Sequence, residues 1–182
     1  NTIAFARCAG THVIAYDNDA PRLLLAAHNA GVYGVRDVID VVCDDVIVAL
    51  KTAASDVGCG SSPGASFTGL GSKHLPRNRG ALVDMIFLSP PWGGPEYINV
   101  ESYDLRGYLV SGLNLIDVLL LALEVTPNVA CFLPRNTDLQ PLVDALSLGG
   151  RNAHFEVEKN FLNGKLKAIT LYFGELVCRV NP

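Results

Sequence analysis

Ser89, Pro90, Pro91 and Trp92 stand in a row, followed by Gly93, Gly94 and Pro95, directly after the apolar run from Leu82 to Leu88. Each proline fixes φ at about −65° and removes a backbone N–H, so a central strand has to stop before them. Gly93 and Gly94 then allow backbone angles closed to other residues, which turns the chain sharply and leaves its only tryptophan on a rigid loop. Carbonyl oxygens and one large aromatic face are thereby aimed past the end of a strand, the means by which a flat ligand is held. In an α/β sheet the crevice beyond the carboxyl ends of the strands is where ligands bind. The other reading of the same residues is a plain turn with a half-buried tryptophan.

Acids close two other strand-like runs. Asp17 ends "THVIAYD", where a carboxylate can accept hydrogen bonds from both vicinal hydroxyls of a ribose. Asp44 and Asp45 end "DVIDVVCDD", close to where an adenine lies in such a fold. A strand-terminal Asp also serves as a helix cap or turn residue. Taken with the Ser-Pro-Pro-Trp loop, these acids describe one cleft.

The elements that must position these groups alternate in period. Thr11–Asp17 reads as a buried strand, after which Asp19 suits an N-cap, Pro21 the first helical turn and Gly31 the helix end. Asp37–Asp45 is the next strand and Val46–Ala54 a short helix. Ala81–Leu88 is a strand, Leu113–Val125 a buried helix, Asn128–Pro134 a strand, and Thr137–Gly150 a helix closed by glycines. "HFEVEKNF" and "LKAITLYFG" form two strands about Asn163-Gly164, a strong hairpin signal. Alternating β and α units before a terminal antiparallel hairpin predict an α/β fold, a mostly parallel, doubly wound sheet with one reversed strand. Thr52 to Gly80 is rich in Gly and Ser without apolar periodicity and reads as a long loop or insertion. Its Lys73, His74, Arg77 and Arg79 form a small basic cluster, a solvated face or a transient RNA contact.

At 182 residues and 49% hydrophobic content the chain is long enough for one sizeable core, hence one domain. A formal net charge of −4 argues against a broad basic surface, so any nucleic acid should be met at a small pocket. The five cysteines, Cys8, Cys43, Cys59, Cys131 and Cys178, show no C-x-x-C pair, which points to a reducing intracellular compartment. No apolar run reaches the roughly 18 to 20 residues that span a bilayer, and no signal peptide opens the chain. His12, His28, His74 and His154 have no mutual ligand spacing, so no metal is expected.

The order "VIAYDND", "CDD", "FLSPPWGGPEY", "FLPRN" and "NFLNGKLKAITLYFG" resembles the trimethylguanosine synthase family. These are S-adenosylmethionine-dependent enzymes that convert a 7-methylguanosine RNA cap to the 2,2,7-trimethyl form. The likeness covers nearly the whole chain outside Thr52 to Gly80. Ser-Pro-Pro-Trp alone marks only the wider class of amino-methyltransferases; its extension to Gly-Gly-Pro, with Leu-Pro-Arg-Asn and Asn-Phe-Leu-Asn, is much narrower.

The resemblance implies a Rossmann-like class I methyltransferase sheet and S-adenosylmethionine as cofactor, held by Asp17, Asn18, Asp44, Asp45, Ser89 and Pro91. It implies capped RNA of the small nuclear or nucleolar type as substrate, met by Ser89, Pro90, Trp92, Tyr97 and Arg135, in the nucleus or cytoplasm. Ser89, Pro90 and Trp92 would form the catalytic centre. The exocyclic N2 of guanine is a poor nucleophile because its lone pair is delocalised, so positioning does most of the work. Ser89 Oγ and the Pro90 carbonyl suit the amine hydrogens, and Trp92 suits a cationic 7-methylguanine ring. The Arg135 fork suits the cap phosphates, although an Arg after a strand also pairs with carboxylates. Lys165 and Lys167 suit a solvated face.

The chain also departs from the family. There, a strand and a glycine-rich turn that cradles the methionine part of the cofactor precede the position of Asn1, with a cap-binding helical region further upstream. This chain opens inside the following helix, and Asp44 replaces a small glycine. Two other readings therefore stand beside the first: a catalytically inactive cap-binding or scaffold module, and an amino-methyltransferase acting on adenine or glutamine amide.

Overall fold

The computed structural model describes residues 1–58, 83–94, 97, 99–107, 109–150 and 154–178. The chain divides into two compact units, Asn1–Gly80 and Ala81–Pro182.

In the first unit α1 (Thr2–Ala6) leads to β1 (Val13–Asp17), α2 (Ala20–Val32), a 3-10 turn at Arg36–Val38, β2 (Ile39–Cys43) and α3 (Val46–Gly58). β1 and β2 pair in parallel from Val13↔Ile39 to Asp17↔Cys43, and α2 makes the crossover that parallel pairing requires. Asp19 caps α2 by accepting the Arg22 N–H at 2.9 Å, with Pro21 in the first turn as expected. Gly31 does not end this helix. Its backbone stays helical, and the chain turns out at Gly34, φ +68°, where the Val35 N–H reaches back to the Ala30 carbonyl at 3.0 Å. The predicted strand at Asp37–Asp45 is shorter, because Arg36–Val38 form the 3-10 turn and Asp44 and Asp45 lie beyond the last strand pair. α3 continues to Gly58, so the predicted insertion begins later than Thr52; the remainder of that segment, with its basic cluster, lies outside the described residues. Ala6, Ala30 and Ile39 are buried together, with Val13, Ala15, Val35, Val38 and Val41 packed around them.

The second unit contains β3 (Ile86–Leu88), β4 (Tyr103–Asp104), β5 (Leu109–Val110), β6 (Leu113–Asn114), α4 (Leu115–Val125), β7 (Val129–Pro134), β8 (Thr137–Asp138), α5 (Gln140–Leu148), β9 (Phe155–Leu162) and β10 (Lys165–Phe173). Its main sheet has the order β3-β7-β10-β9, with β3 parallel to β7 and β10 antiparallel to both neighbours. The mixed sheet has one reversed strand, as expected, but it is not mostly parallel in its pairings, and β1 and β2 form a separate two-stranded sheet. The Asn163-Gly164 turn has φ of +52° and +71°, the two left-handed positions of a type I′ hairpin. β3 is shorter than the apolar run before Ser89 suggests. Thr137 and Asp138, expected in a helix, instead pair with Tyr103 and Asp104.

α4 is apolar on nearly all sides because it lies within the core. Leu115, Ile116, Val118, Leu119, Ala122 and Val125 are buried, and the helix touches β7 and α5. Asn114 caps it, accepting the Asp117 N–H at 3.1 Å and donating to the Asp117 carboxylate at 2.6 Å. β10 is buried on both faces from Ala168 to Leu171, which is why its sequence shows little alternation. At the amino end of β7, Asn128 donates to the Asp84 carbonyl at 3.1 Å and accepts the Glu175 N–H at 2.9 Å, while Thr126 Oγ1 donates to the same Asp84 carbonyl at 3.3 Å. The start of β3, the start of β7 and the end of β10 are thus tied by side chains.

Gly174 belongs to this knot. Its φ is +67°, and an added Cβ would overlap Asn128 Oδ1 and the Pro127 carbonyl. Gly164 has a similar φ with open space around it. Gly164→Ala should therefore cost only the left-handed penalty, about 1 to 2 kcal/mol. Gly174→Ala adds steric overlap with backbone and should cost about 3 kcal/mol or more. Urea denaturation of both variants checks the difference; equal losses would mean that the Gly174 contact is not tight.

Candidate active site

The carboxyl ends of the strands carry the groups of interest in both units. In the first, Asp17 is the last residue of β1 and sits across from Cys43, so Asp44 and Asp45 follow at the adjacent strand end. The two key acids use one device. Asp17 Oδ1 accepts the Asp19 N–H at 2.9 Å and Asp45 Oδ1 accepts the Ile47 N–H at 2.8 Å, each turning the chain into the following helix. Each leaves its second oxygen lightly engaged: Asp17 Oδ2 meets the exposed Arg22 guanidinium at 3.4 Å, and Asp45 Oδ2 has no partner among the described residues. Asn18 is exposed beside Asp17. Asp44 is exposed, accepts the Asp45 N–H at 2.7 Å and, after the larger effect of burial, helps to raise the Tyr16 pKa. The turn-residue role and the ligand role are therefore compatible at Asp17 and Asp45, one oxygen serving each.

In the second unit, Ser89 follows β3 and is exposed, Pro90 is half-buried and Pro91 exposed. Gly93 and Gly94 take φ of +80° and +79°, the left-handed turn their sequence allows. Trp92 is half-buried and braced. Its Nε1–H donates to the Phe132 carbonyl at 3.4 Å, its ring lies 5.1 Å from the Phe132 ring at an interplanar angle of 34°, and the Tyr97 ring meets it at 5.1 Å and 82°. Such aromatic pairs are worth about 0.5 to 1.5 kcal/mol each beyond their buried area. Arg135 leaves the end of β7 exposed, and among the described residues it has no carboxylate in ion-pairing range.

Two residues matter that the sequence reading did not single out. Phe132 alternates outward on the β7 face that carries Trp92, a position visible only once the β7–β10 register, Phe132↔Thr170, is known. Asn136 sends its Nδ2 to the carbonyls of Tyr97 at 3.2 Å and Val100 at 2.7 Å, tying the end of Leu-Pro-Arg-Asn to the segment beyond the tryptophan loop. The signal was its place next to Arg135 in that motif. Cys131, behind Phe132, is fully buried, and burial pushes its thiol up to about 12, so it is a packing residue and not a nucleophile. Among the described residues no group of three His, Cys, Asp or Glu side chains could hold a metal ion.

The sequence model of the RNA cap guanine-N2 methyltransferase family matches residues 1–176. The chain belongs to that family. It is 32% identical over 180 residues to the trimethylguanosine synthase of Schizosaccharomyces pombe, an alignment covering 96% of this chain and 61% of that protein. It is 39% identical over 100 residues to the trimethylguanosine synthase of Saccharomyces cerevisiae, covering 54% of this chain and 31% of that protein. The chain thus spans 31% to 61% of the length of these two relatives.

For a member of the cap guanine-N2 methyltransferase family, the bracing of Trp92 is open to direct test because Trp92 is the chain's only tryptophan. Asn136→Ala removes both donors that hold the Tyr97–Val100 segment. Stability should fall by about 1 to 2 kcal/mol, the net worth of two hydrogen bonds, one exposed and one half-buried. Tryptophan emission should shift to the red as Tyr97 loosens. An unchanged emission maximum would show that Asn136 supports the fold without supporting the Trp92 cluster.

Proposed function

We propose that this chain carries the catalytic core of an enzyme that moves methyl groups from S-adenosylmethionine to N2 of the 7-methylguanosine cap of RNA. The single observation that carries this reading is the family match across residues 1–176, which includes the Ser-Pro-Pro-Trp loop at the carboxyl end of β3. One continuous match across both compact units supports a single methyltransferase domain. The strand–helix alternation with one reversed strand supports a Rossmann-like class I arrangement.

The residues present suit the cofactor. Asp17 and Asp45 each offer a carboxylate oxygen beyond the one used in the turn, acceptors for ribose hydroxyls and for an adenine amine. When bound, S-adenosylmethionine supplies an electrophilic sulfonium methyl. Asn18 and Asp44 flank these acids, and Pro91 follows β3 in the second unit; each contacts the cofactor in this reading.

At the substrate, Ser89 Oγ and the Pro90 carbonyl accept the two hydrogens of the guanine amine and aim its lone pair. Neither Pro90 nor Pro91 has an N–H to compete for those acceptors. As N2 gains positive charge these acceptors stabilise it more strongly than they do the neutral amine, which is where catalysis needs the interaction. Trp92 stacks on the base, and the positive charge of 7-methylguanine adds a cation–π contribution of about 0.5 to 2 kcal/mol that guanine lacks. Tyr97 flanks this stack, and Arg135 receives the cap phosphates.

In the full-length protein, methylation of 7-methylguanosine triphosphate should exceed that of guanosine triphosphate and of adenine or glutamine-amide substrates. Methyl transfer only to the latter would sink the reading in favour of another amino-methyltransferase. Cap binding with no S-adenosylmethionine binding would favour an inactive module. Asp17→Asn keeps the shape but weakens acceptance from two hydroxyls. Calorimetry should show S-adenosylmethionine affinity reduced about tenfold, about 1.4 kcal/mol, with cap affinity kept. Equal loss of both, with a lowered melting temperature, would make Asp17 a structural turn residue.

A further inference from the structure

β9 and β10 do not stop where β7 stops. β7 pairs with β10 only as far as Pro134↔Ala168, whereas the hairpin continues through Leu166↔Phe161 to Lys165↔Leu162. At about 3.3 Å per residue the hairpin end overhangs the sheet by roughly 10 Å. It overhangs the carboxyl end of β7, the same sheet edge from which Arg135 and the Ser89–Trp92 loop emerge, since β3 runs parallel to β7.

The overhang has an unusual surface. Phe161 is 62% exposed and Leu162 61% exposed, at positions where an unpartnered aromatic and leucine gain nothing from the core. From Lys159 to Lys167 the chain has three lysines and no acid, although its formal net charge is −4. Lys159, Lys165 and Lys167 are all exposed, and none is in an ion pair among the described residues. Lys159 and Phe161 share one face of β9, and the pairing slips at Lys167, a bulge that re-aims its side chain. Glu158, the nearest acid, points to the opposite face and accepts the Tyr172 hydroxyl at 2.6 Å.

We propose that this hairpin end is the platform for the single-stranded RNA that follows the cap, an inference resting on the cap reading above. Phe161 stacks on a base, and Lys159, Lys165 and Lys167 neutralise phosphates on either side of it. Exposed aromatics beside lysines are the means by which single strands are held with little regard to sequence. From β3 to β9 is three strand spacings of about 4.8 Å, roughly 14 Å along the edge. Phe132 pairs with Thr170 and Thr170 with Glu158, so Trp92 and Phe161 lie on opposite faces of the sheet; RNA leaving Arg135 would reach Phe161 by passing around the overhanging hairpin end, where Lys165 lies on the Trp92 face.

The test uses the full-length protein with three ligands: 7-methylguanosine triphosphate, a capped oligoribonucleotide of about ten nucleotides and its uncapped counterpart, a length within the site sizes of single-strand binders. Phe161→Ala should weaken the capped oligonucleotide about tenfold and leave 7-methylguanosine triphosphate unchanged. Phe161→Leu keeps apolar volume without an aromatic face; it should show a similar loss, and it carries the test if the alanine variant does not fold. The Lys165→Ala, Lys167→Ala pair should make the slope of log affinity against log salt shallower by about 1.4, at about 0.7 per phosphate on a single strand. Unchanged affinity for the capped oligonucleotide would overturn the proposal and leave Phe161 to some other partner. Equal loss on 7-methylguanosine triphosphate would overturn it too, by placing the hairpin in the cap pocket. If capped and uncapped oligonucleotides bind alike and the variants weaken both, the platform stands and the cap reading falls.

Discussion

The contact of Trp92 with Phe132 ties the Ser89–Trp92 loop to the sheet. Two prolines and two glycines would otherwise leave a tryptophan on a loop whose only attachment is the end of a three-residue strand. The indole N–H bound to the Phe132 carbonyl, and the ring against the Phe132 ring, convert that loop into an extension of β7. Phe132 in turn is placed by its pairing with Thr170 on the reversed strand. The placement of the loop therefore depends on β10: the strand that sets Phe132 is the one buried on both faces, where register is held most strongly.

Structural ties and the candidate site residues occupy opposite ends of the strands. At the amino end of β7 stand Thr126, Asn128 and Gly174, a knot of hydrogen bonds and close contact with no room for an added carbon. At the carboxyl end stand Ser89, Trp92, Arg135 and Asn136. The first unit repeats the division, with His12 bonded to Asp40 at 2.9 Å before β1 and near the start of β2, and Asp17 and Asp45 where those strands finish. Rigid packing at one end allows exposed or lightly engaged polar groups at the other, the arrangement expected of a site in an α/β sheet.

Much of this was legible in the sequence where local chemistry decides the structure. The Pro-Pro and Gly-Gly pairs announced the end of β3 and the left-handed turn, Asp19 and Pro21 announced the start of α2, and Asn163-Gly164 announced the hairpin. Gly31 misled because a glycine inside a helix costs only about 1 kcal/mol, which tertiary contacts override, while Gly34 three residues on offered the better exit. Thr137 and Asp138 looked helical by composition, yet the backbone there is claimed by Tyr103 and Asp104, a pairing across more than thirty residues that no local pattern encodes. The short β5–β6 hairpin had a signal in Ser111-Gly112, both at positive φ, that its flanking apolar run obscured. Phe132 and Asn136 escaped for the same reason as Thr137: their roles depend on register and on partners far along the chain.

In the proposed function the braced indole of Trp92 receives a cationic purine, and because Trp92 is the chain's sole tryptophan its emission reads that contact directly. In the full-length protein, with any tryptophan outside this chain replaced by phenylalanine, emission is titrated with 7-methylguanosine triphosphate and with guanosine triphosphate. Stacking should give saturable quenching by the methylated nucleotide, at an affinity higher by roughly twofold to thirtyfold, the equivalent of a cation–π contribution of about 0.5 to 2 kcal/mol. Tight binding of 7-methylguanosine triphosphate with no change in Trp92 emission, or equal quenching by both nucleotides, would contradict it.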